Sequence, residues 1–383
     1  MIQFINFLKG SFLQKMVAAL IASLLSLNLA SNTALNGGKT ELDPGDYKNV
    51  ILLIGDGMGF NHIDWMEGEY GIDEAYMFAM TDVHGKSQTR SSSAAVTDSA
   101  AGGTALACAT RTTNGALGVF PQDQFGVAYV AMNLCELAHS YGKMTGVVTS
   151  DYNSGATPAS FSAHVYDRGE DAEITRQQIE ESDLDLLWAQ DNGLVTDEWA
   201  NEYGWTLVND NAEFAALEEG TRSFGAFAGE LWNSDTGADV PNLSTLTANA
   251  IDMLDDDEDG FFLMVEGAHI DKHSHSNDEK NMKIAAKEFD LAVKAALEFA
   301  EADGDTLVVI TADHETGAIK PDGDSFKFTS GSHSAADVPL LVYGSDNFVV
   351  SGEAIKNKEV SRRLAMAMGA APDEFPVAVK AVK

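Results

Sequence analysis

Five short and almost wholly apolar runs limit what this chain of 383 residues can fold into. A strand with one face in water alternates apolar and polar residues, whereas a continuous apolar run of five or six residues is typical of a strand buried on both faces. Such strands occur mainly in parallel sheets that are covered by helices. The runs are residues 50–54, 144–149, 261–265, 306–311 and 338–343.

Four further segments have apolar residues three and four positions apart, and this spacing predicts amphipathic helices. Strands that alternate with helices favour an α/β fold with a doubly wound, mostly parallel central sheet and helices on both faces. We expect a single domain over residues 31–383. The predicted helices are residues 134–141, 172–181, 243–254 and 278–302.

Residues 183–242 show no clear periodicity, although they contain four of the five tryptophans of the chain. We expect this segment to be a peripheral insertion or a lid. The tryptophans are Trp188, Trp199, Trp205 and Trp232.

The first thirty residues have the composition of a signal peptide. They contain Lys9 and Lys15, no acidic residue, and an apolar run over residues 16–29. That run is about half the length that a membrane-spanning helix needs. We expect cleavage near residues 30–34 and a periplasmic or secreted protein, with a retained membrane anchor as the alternative.

The formal net charge of −35 makes nucleic acid and anionic membrane surfaces poor partners for this chain. An anionic substrate would be repelled by the general field, so its site must carry concentrated positive charge, which bound divalent metals supply. Most of the acidic residues are expected on a solvated surface, and we interpret them as an adaptation to salt.

The two cysteines, Cys108 and Cys135, lie in apolar, helix-like stretches. Two cysteines in 383 residues exclude a fold built on disulfides. We expect two buried free thiols, because cysteine packs as a small apolar residue, and a single bridge is the alternative.

Potential metal ligands follow three of the predicted strands. Parallel sheets bind their ligands at the carboxyl ends of the strands, so these side chains are expected to lie close together. Carboxylates and imidazoles in this number match the requirements of two or three divalent ions. The candidates are Asp56, Glu266, Asp271, His275, Asp313, His314 and His333.

Residues 96–107 are predicted to be a loop that enters a helix, with Ser99 in the first turn. A helix N-terminus favours an anion at that place. Ser99 could act as a nucleophile, or it could, like Asp98, merely cap the helix. The chain has no Gly-x-Ser-x-Gly elbow, so a nucleophilic Ser99 would need another activator, and a coordinated metal can lower the pKa of its hydroxyl group.

Six segments together resemble the successive motifs of the alkaline phosphatases, in the order that this family keeps. Each motif is weak alone, but six in order are highly specific. The resemblance spans roughly residues 48–345 and implies a near-minimal bacterial member. The segments are NVILLIGDGMG at 49–59, DSA at 98–100, ATPAS at 156–160, EGAHID at 266–271, TADHETG at 311–317 and GSHS at 331–334.

The resemblance implies two zinc ions that bracket the substrate phosphate, with Ser99 attacking as a zinc-bound alkoxide and forming a phosphoserine. Water then releases inorganic phosphate. The family pattern assigns Asp271, His275 and His333 to one zinc, and Asp56, Asp313, His314 and the Ser99 oxygen to the other.

A third ion, normally magnesium, is implied between Asp56, Thr157 and Glu266. Arg168 occupies the place of the family's phosphate-binding arginine, where a guanidinium can grip two phosphate oxygens. Because the metal ions make most of the contacts to the phosphate group, many small phosphate monoesters are expected to react. The implied partners are these small molecules, and the resemblance leaves open whether the chain forms a homodimer.

The chain departs from the family pattern in three places. Gly155 stands where relatives have Asp or His, which puts the third metal and its identity in doubt. Lys272 resembles a lysine of bacterial members but lacks the aspartate that usually pairs with it, so it either reaches the substrate phosphate or is an exposed lysine. Only eighteen residues separate His314 from His333, where larger relatives insert a subdomain.

A calcium-loop pattern competes for Glu266. Residues 255–260, DDDEDG, followed by Glu266 fit the spacing of an EF-hand loop. An EF-hand needs a helix on each side, whereas residues 261–265 are predicted to be a strand. We therefore expect Glu266 to serve the third metal site and no calcium to bind at this loop.

Three alternative functions are kept open. Phosphodiesterases of the same superfamily usually carry threonine as nucleophile, and sulfatases use a cysteine in a Cys-x-Pro-x-Arg setting that is absent from this sequence. A noncatalytic exported protein that binds metal or phosphate is the third. The retained serine, arginine and ligands favour a phosphomonoesterase.

Overall fold

A ten-stranded sheet forms the centre of the computed structural model, which describes residues 42, 45–70, 76–233 and 237–381. Residues from Asp43 onward form one compact unit. The predicted signal peptide and its cleavage region, residues 1–34, lie outside the described residues.

Sixteen strands are described, and ten of them share the central sheet. The strands are β1 (Asn49–Gly55), β2 (Val83–Gln88), β3 (Tyr129–Ala131), β4 (Met144–Tyr152), β5 (Leu186–Gln190), β6 (Thr206–Val208), β7 (Ser223–Phe227), β8 (Phe261–Gly267), β9 (Thr306–Thr311), β10 (Glu315–Thr316), β11 (Lys320–Asp322), β12 (Ser325–Lys327), β13 (His333–Ser334), β14 (Val338–Tyr343), β15 (Ala354–Lys356) and β16 (Ala378–Ala381).

The central sheet has the strand order β15-β2-β14-β9-β1-β8-β4-β5-β7-β6. Nine of these strands run in one direction and β14 runs against its neighbours β9 and β2. The expectation that residues 338–343 form a parallel strand is therefore wrong, because a buried antiparallel strand between two partners is as apolar as a parallel one.

Twelve helices are described in the same part of the chain. They are α1 (Phe60–Tyr70), α2 (Tyr76–Ala79), α3 (Ser99–Cys108), α4 (Leu134–Ser140), α5 (Ala156–Ser160), α6 (Asp171–Glu180), α7 (Asp197–Glu202), α8 (Asn211–Phe214), α9 (Leu243–Leu254), α10 (His269–His275), α11 (Glu279–Asp303) and α12 (Asn357–Met368). None of the helices among the described residues has the length and apolar content to cross a membrane.

Helices cover both faces of the sheet, as the sequence predicts. Ile51 and Leu53 of β1 are fully buried in the main core, in which α9 and α11 pack through residues such as Phe289. Helices α4 and α12 contact the sheet and each other, and α12 also contacts the Ser99 helix α3. The fold is thus an α/β fold with a largely parallel, doubly covered sheet.

Residues 183–242 are not a peripheral insertion or lid. They supply β5, β7 and β6, which extend the central sheet in parallel beyond β4 to its edge. The tryptophans explain part of this packing, since Trp188 and Trp205 are almost completely buried. Aromatic residues fill this end of the core in place of the aliphatic runs that mark the central strands.

Cys108 and Cys135 are both free and buried, as expected. Burial raises the pKa of each thiol well above its ordinary value. Both cysteines therefore behave as apolar packing residues.

Candidate active site

The register of the central strands brings three of the predicted acidic residues to one edge of the sheet. Ile54 of β1 pairs with Glu266 of β8 on one side and with Thr311 of β9 on the other. Asp56 follows the end of β1 by one residue and Asp313 follows the end of β9 by two, and both are buried, as is Glu266. The carboxyl ends of β1, β8 and β9 therefore form the floor of a site, where the sequence placed it.

Ser99 stands at the first position of α3, directly above this floor. Its Oγ lies 3.1 Å from Nε2 of His314, and the residue is 5% exposed. Asp98 caps the helix, accepting hydrogen bonds from the backbone of Ala101 at 3.0 Å and of Gly115 at 2.8 Å. Ser99 is thus free of the capping role that the sequence left open for it.

Gly102 lets α3 approach the floor closely. A Cβ atom at this position would lie 2.9 Å from the backbone oxygen of Asp313 and 3.0 Å from its Cβ. Only glycine fits at that distance, so the sequence of α3 itself sets how near Ser99 lies to His314.

Asp271, His275 and His333 form a first ligand cluster, with one donor atom of each within 4.8 Å of the others. The Nδ1 atoms of His275 and His333 lie 2.9 Å from the carbonyl oxygens of Gly331 and Thr97, which can only accept. Each Nδ1 therefore carries a proton, and the two Nε2 atoms face each other at 3.0 Å. Two imidazole lone pairs at this distance, beside a carboxylate, fit a bound cation.

Asp56, Asp271 and His314 form a second cluster of the same kind. Nε2 of His314 lies 3.5 Å from Oδ1 of Asp56 and 3.2 Å from Oδ2 of Asp313. The sequence assigned Asp313 rather than Asp271 to this group. Asp271 lies between the two clusters, where its two oxygens face His275 at 3.3 Å and His333 at 3.6 Å.

Glu266 and Thr157 are two of the residues predicted for the third metal site, and both are buried. Glu266 is fully buried, and one of its oxygens accepts a hydrogen bond from the hydroxyl of Thr149. Burial raises the pKa of Glu266 to about 8, and the charge of Asp151 adds to this effect. Burial and the charges of Asp313, Asp271 and Glu266, in that order, raise the pKa of Asp56.

Four buried side-chain oxygens in this floor have no hydrogen-bond partner. A buried carboxylate or hydroxyl oxygen without a partner is costly, so native proteins satisfy such atoms with a donor or a cation. Together with the facing imidazoles, they show that the residues present fit two or three divalent cations. The four atoms are Asp56 Oδ1, Asp313 Oδ2, Thr157 Oγ1 and Glu266 Oε1.

Comparison with known proteins identifies the family of this chain. A sequence model described as alkaline phosphatase matches residues 47–188 and 181–357. The chain belongs to the alkaline phosphatase family. It is a metal-binding hydrolase of phosphate monoesters.

Curated relatives agree with this assignment. Alkaline phosphatase 3 of Bacillus subtilis is 32% identical over 334 residues, covering 80% of this chain and 70% of that protein. Alkaline phosphatase of Escherichia coli strain K12 is 31% identical, covering 78% of this chain and 77% of that protein. The repressible alkaline phosphatase of Saccharomyces cerevisiae is 33% identical, but the match covers only 62% of its length.

A solved structure shows that the fold is shared as well. The alkaline phosphatase of the Antarctic bacterium TAB5 superposes with a TM-score of 0.73 at 29% identity, covering 86% of this chain and all of that chain. In the alkaline phosphatase described here, the two-residue strand β10 and the short hairpin β11–β12 lie between His314 and His333.

Arg168 and Lys272 are the two cationic side chains predicted for the substrate. The Arg168 guanidinium is 3.5 Å from the carboxylate of Asp98, and its side chain is 42% exposed. The sequence suggested that Lys272 lacks an acidic partner, but its ammonium group pairs with Asp151. It is therefore neither a free surface lysine nor a group held only by substrate.

Sequence reasoning missed Asp151 and Thr149, although a signal for them existed. The strand predicted over residues 144–149 is β4, and it continues to Tyr152. Asp151 is therefore another acidic residue at the carboxyl end of a parallel strand, the same signal that found Asp56 and Glu266.

The calcium-loop interpretation fails for a structural reason. Gly260 leads directly into β8, so no helix follows the acidic residues. Glu266 is fully buried at the other end of that strand and accepts a hydrogen bond from Thr149. It cannot ligate an ion held by residues 255–260.

Proposed function

We propose that this alkaline phosphatase hydrolyses phosphate monoesters through a phosphoserine at Ser99. The observation that carries the proposal is the place of Ser99 Oγ. It begins a helix, is almost fully buried, and lies 3.1 Å from His314 in a floor of carboxylates with unpartnered oxygens. A hydroxyl group serving only to cap the helix would not need such surroundings.

The donor chemistry supports two Zn²⁺ ions and one Mg²⁺ ion. Mixed imidazole and carboxylate donors suit zinc, whereas a group with only oxygen donors suits magnesium. A variant of the TAB5 enzyme has magnesium bound in its M3 site. We assign Asp271, His275 and His333 to one zinc, Asp56, Asp313, His314 and Ser99 to the other, and Asp56, Thr157 and Glu266 to magnesium.

When bound, these ions lower the pKa of the Ser99 hydroxyl and balance the negative charge that gathers on the phosphate in the transition state. The protein supplies the orientation. Asp98 holds the first turn of α3, so that the oxygen of Ser99 and the backbone N–H groups of the helix end face the substrate. Arg168 offers a planar guanidinium that can bind two nonbridging oxygens.

Two displacements complete the reaction. Ser99 Oγ forms a bond to phosphorus while the bond to the ester oxygen breaks and the alcohol leaves. Water then forms a bond to the same phosphorus, and the bond to Ser99 breaks to release inorganic phosphate. Arg168 stays in place through both steps, since the same nonbridging oxygens carry the charge in each.

The alternatives from the same superfamily fit the described residues less well. A sulfatase needs a cysteine nucleophile, whereas Cys108 lies at the far end of α3 from Ser99 and Cys135 is buried in α4. A diesterase binds a phosphate with a single charge. Two cations at this site, Arg168 and Lys272, favour the doubly charged monoester.

We further propose that the protein is exported to the periplasm or secreted, on the strength of the leader-like composition of residues 1–30. Its partners would be small phosphate esters, which meet it outside the cytoplasm. Neither nucleic acid nor a membrane is expected as a partner of the mature protein, because the remaining chain is strongly acidic.

Hydrolysis of p-nitrophenyl phosphate at alkaline pH tests the nucleophile. Replacement Ser99→Ala should lower kcat at least roughly a thousandfold, since the loss of a nucleophile removes the covalent route. Chelation should do the same to the unaltered protein, and added Zn²⁺ and Mg²⁺ should restore it. Acid-quenched samples should carry phosphate on the peptide with Ser99.

The matched control is Ser351→Ala, which removes an exposed serine hydroxyl and should leave kcat unchanged. Activity that survives both chelation and Ser99→Ala would contradict the proposal. A phosphate-binding protein without catalysis would show no burst of phosphopeptide in any variant.

A further inference from the structure

Gly155 has no room for a side chain, because a carboxylate already occupies the space. A Cβ atom built on Gly155 would lie 2.4 Å from Oδ2 and 2.7 Å from Cγ of Asp151. Both distances are far below those of real Cβ contacts, so the Asp151 carboxylate would have to move to admit a side chain here. The place where relatives of this family carry an acidic or imidazole side chain is therefore filled from the end of β4.

Asp151 is held in this place by several groups. Its Oδ1 accepts hydrogen bonds from the ammonium of Lys272 and from the backbone N–H of Tyr152, the latter at 2.7 Å. The backbone N–H of Asp151 donates to Thr149 Oγ1 at 2.8 Å, and that hydroxyl donates in turn to Glu266. The Asp151 side chain is only 14% exposed.

Asp151 therefore connects Lys272 with Thr149 and, through the hydroxyl of Thr149, with Glu266. The negative charge of Asp151 acts on both Glu266 and Lys272. It helps to raise the pKa of Glu266, and it raises the pKa of Lys272 against burial, which lowers it. On the other side, Asp151 and Gly155 line an open cavity of about 520 Å³ together with Arg168. Tyr152 lines the same cavity, and the centre of its ring lies 5.5 Å from the Lys272 ammonium.

We propose that Asp151, near the end of β4, is a positioning residue. It performs from there the task that Gly155 cannot perform. It holds the Lys272 ammonium toward the phosphate and supplies a carboxylate beside the magnesium ligands Thr157 and Glu266. This inference rests on the proposed function. Gly155→Asp will not tighten magnesium binding, because the new side chain collides with Asp151.

The main experiment measures Mg²⁺ affinity directly, by calorimetric titration of zinc-loaded protein that lacks magnesium. Asp151→Asn keeps the shape of the side chain and removes its charge. We expect Mg²⁺ affinity to fall roughly 10- to 100-fold, the usual effect of losing a group that supports metal ligands. The KM for p-nitrophenyl phosphate should rise as well, because Lys272 loses the partner that orients it.

The matched control is Asp171→Asn, which removes the same charge from the lining of the same cavity without touching Lys272. It should change Mg²⁺ affinity less than threefold. An equal loss in both variants would mean that only the general field matters, and this would overturn the proposal.

An exchange of positions separates the proposal from a folding defect. The double variant Asp151→Gly with Gly155→Asp moves the carboxylate by four residues and removes the collision, so Mg²⁺ affinity should return to within about threefold of the original protein. Gly155→Asp alone should bind Mg²⁺ no better than the original. Tighter binding by that single variant would refute the inference.

The two proposals fail in different ways. If Asp151→Asn retains full Mg²⁺ affinity while Ser99→Ala is inactive, Asp151 has no positioning role but the phosphoserine route stands. If Ser99→Ala remains active, the proposed function fails regardless of magnesium binding.

Discussion

Several buried residues of this site would have unfavourable charge states in the absence of a bound cation. Asp56 and Glu266 are buried beside other carboxylates, and burial raises the pKa of both. Burial also lowers the pKa of His314, which keeps its Nε2 free to bind a cation. The metal-free site thus stores unfavourable electrostatic free energy, which cations release when they bind.

Glu266 makes this stored energy measurable as a pH dependence. The carboxyl has a pKa of about 8 in the folded protein against 4.5 ordinarily, so between these values the folded state binds the extra proton. Raising the pH across this window therefore favours unfolding of the metal-free protein. We expect Glu266 to contribute a fall in the free energy of unfolding from about pH 5 to pH 8 in chelator, measured by urea unfolding. Buried histidines such as His62, whose pKa burial lowers to about 3, oppose this fall at the acidic end of the window.

Glu266→Gln should flatten this dependence, whereas Glu202→Gln, which alters an exposed carboxylate, should leave it intact. Protein loaded with zinc and magnesium should lack the downward slope. If the metal-free Glu266→Gln variant and the unaltered protein show the same pH dependence between pH 5 and 8, Glu266 is ionised throughout.

At the scale of residues, the sequence predicted those site residues that directly follow apolar strands. Asp56, Glu266 and Asp313 were found because acidic residues rarely follow apolar runs without a reason. Asp151 was missed because its strand was predicted to end at residue 149, whereas β4 continues to Tyr152 and includes Asp151. The pairing of Lys272 with Asp151 joins residues 121 positions apart, and no local pattern reports such a contact.

Among the elements, α3 contributes most to function although it is only ten residues long. Gly102 and Gly103 let it pack closely against Asp313 on one side and Ser160 of α5 on the other. Two glycines weaken a helix by about 1 kcal/mol each, so α3 depends on its packing and on its cap for stability. The cap, Asp98, is also the residue beside the nucleophile.

Removal of this cap should therefore affect both stability and rate. Asp98→Ala should destabilise the protein by about 1 kcal/mol, a typical cost for a lost N-cap. It should also lower kcat roughly 10- to 100-fold, because a small displacement of the first turn moves Ser99 away from its line of attack. Thermal unfolding and steady-state kinetics with p-nitrophenyl phosphate measure the two effects.

Thr196→Ala is the matched control, since Thr196 caps α7 through its hydroxyl group and lies on a different helix from the site. It should cost similar stability with no change in kcat. If Asp98→Ala loses stability but keeps its rate, the cap is not needed to place Ser99.

Elements with regular packing were predictable from the sequence. Helix α9 and strands β9 and β14 have the predicted bounds, because their apolar patterns end where burial ends. The direction of β14 was not predictable, as both of its faces are buried whichever way it runs. Strands β5 to β7 were missed because Trp188, Phe224 and other aromatic residues replace the aliphatic pattern.

Over the whole molecule, the negative net charge opposes the entry of an anionic substrate. The chain carries 59 acidic against 24 basic residues, while the reaction requires an anionic ester to enter the site. In the proposed mechanism, bound cations together with Arg168 and Lys272 reverse the sign of the field locally. The fold could be inferred from apolar patterning alone, but this reversal depends on side chains that only tertiary structure assembles.

The acidic surface leads to a prediction about salt. Like charges repel most when counterions are scarce, and the screening length falls from about 30 Å at 0.01 M to about 8 Å at 0.15 M ionic strength. The melting temperature of the metal-loaded protein should therefore rise as NaCl is added over this range, at constant pH. Sodium sulfate at equal ionic strength should give the same rise, because screening at low salt depends on ionic strength. A melting temperature that stays constant or falls would show that the acidic residues are spaced widely enough to escape mutual repulsion.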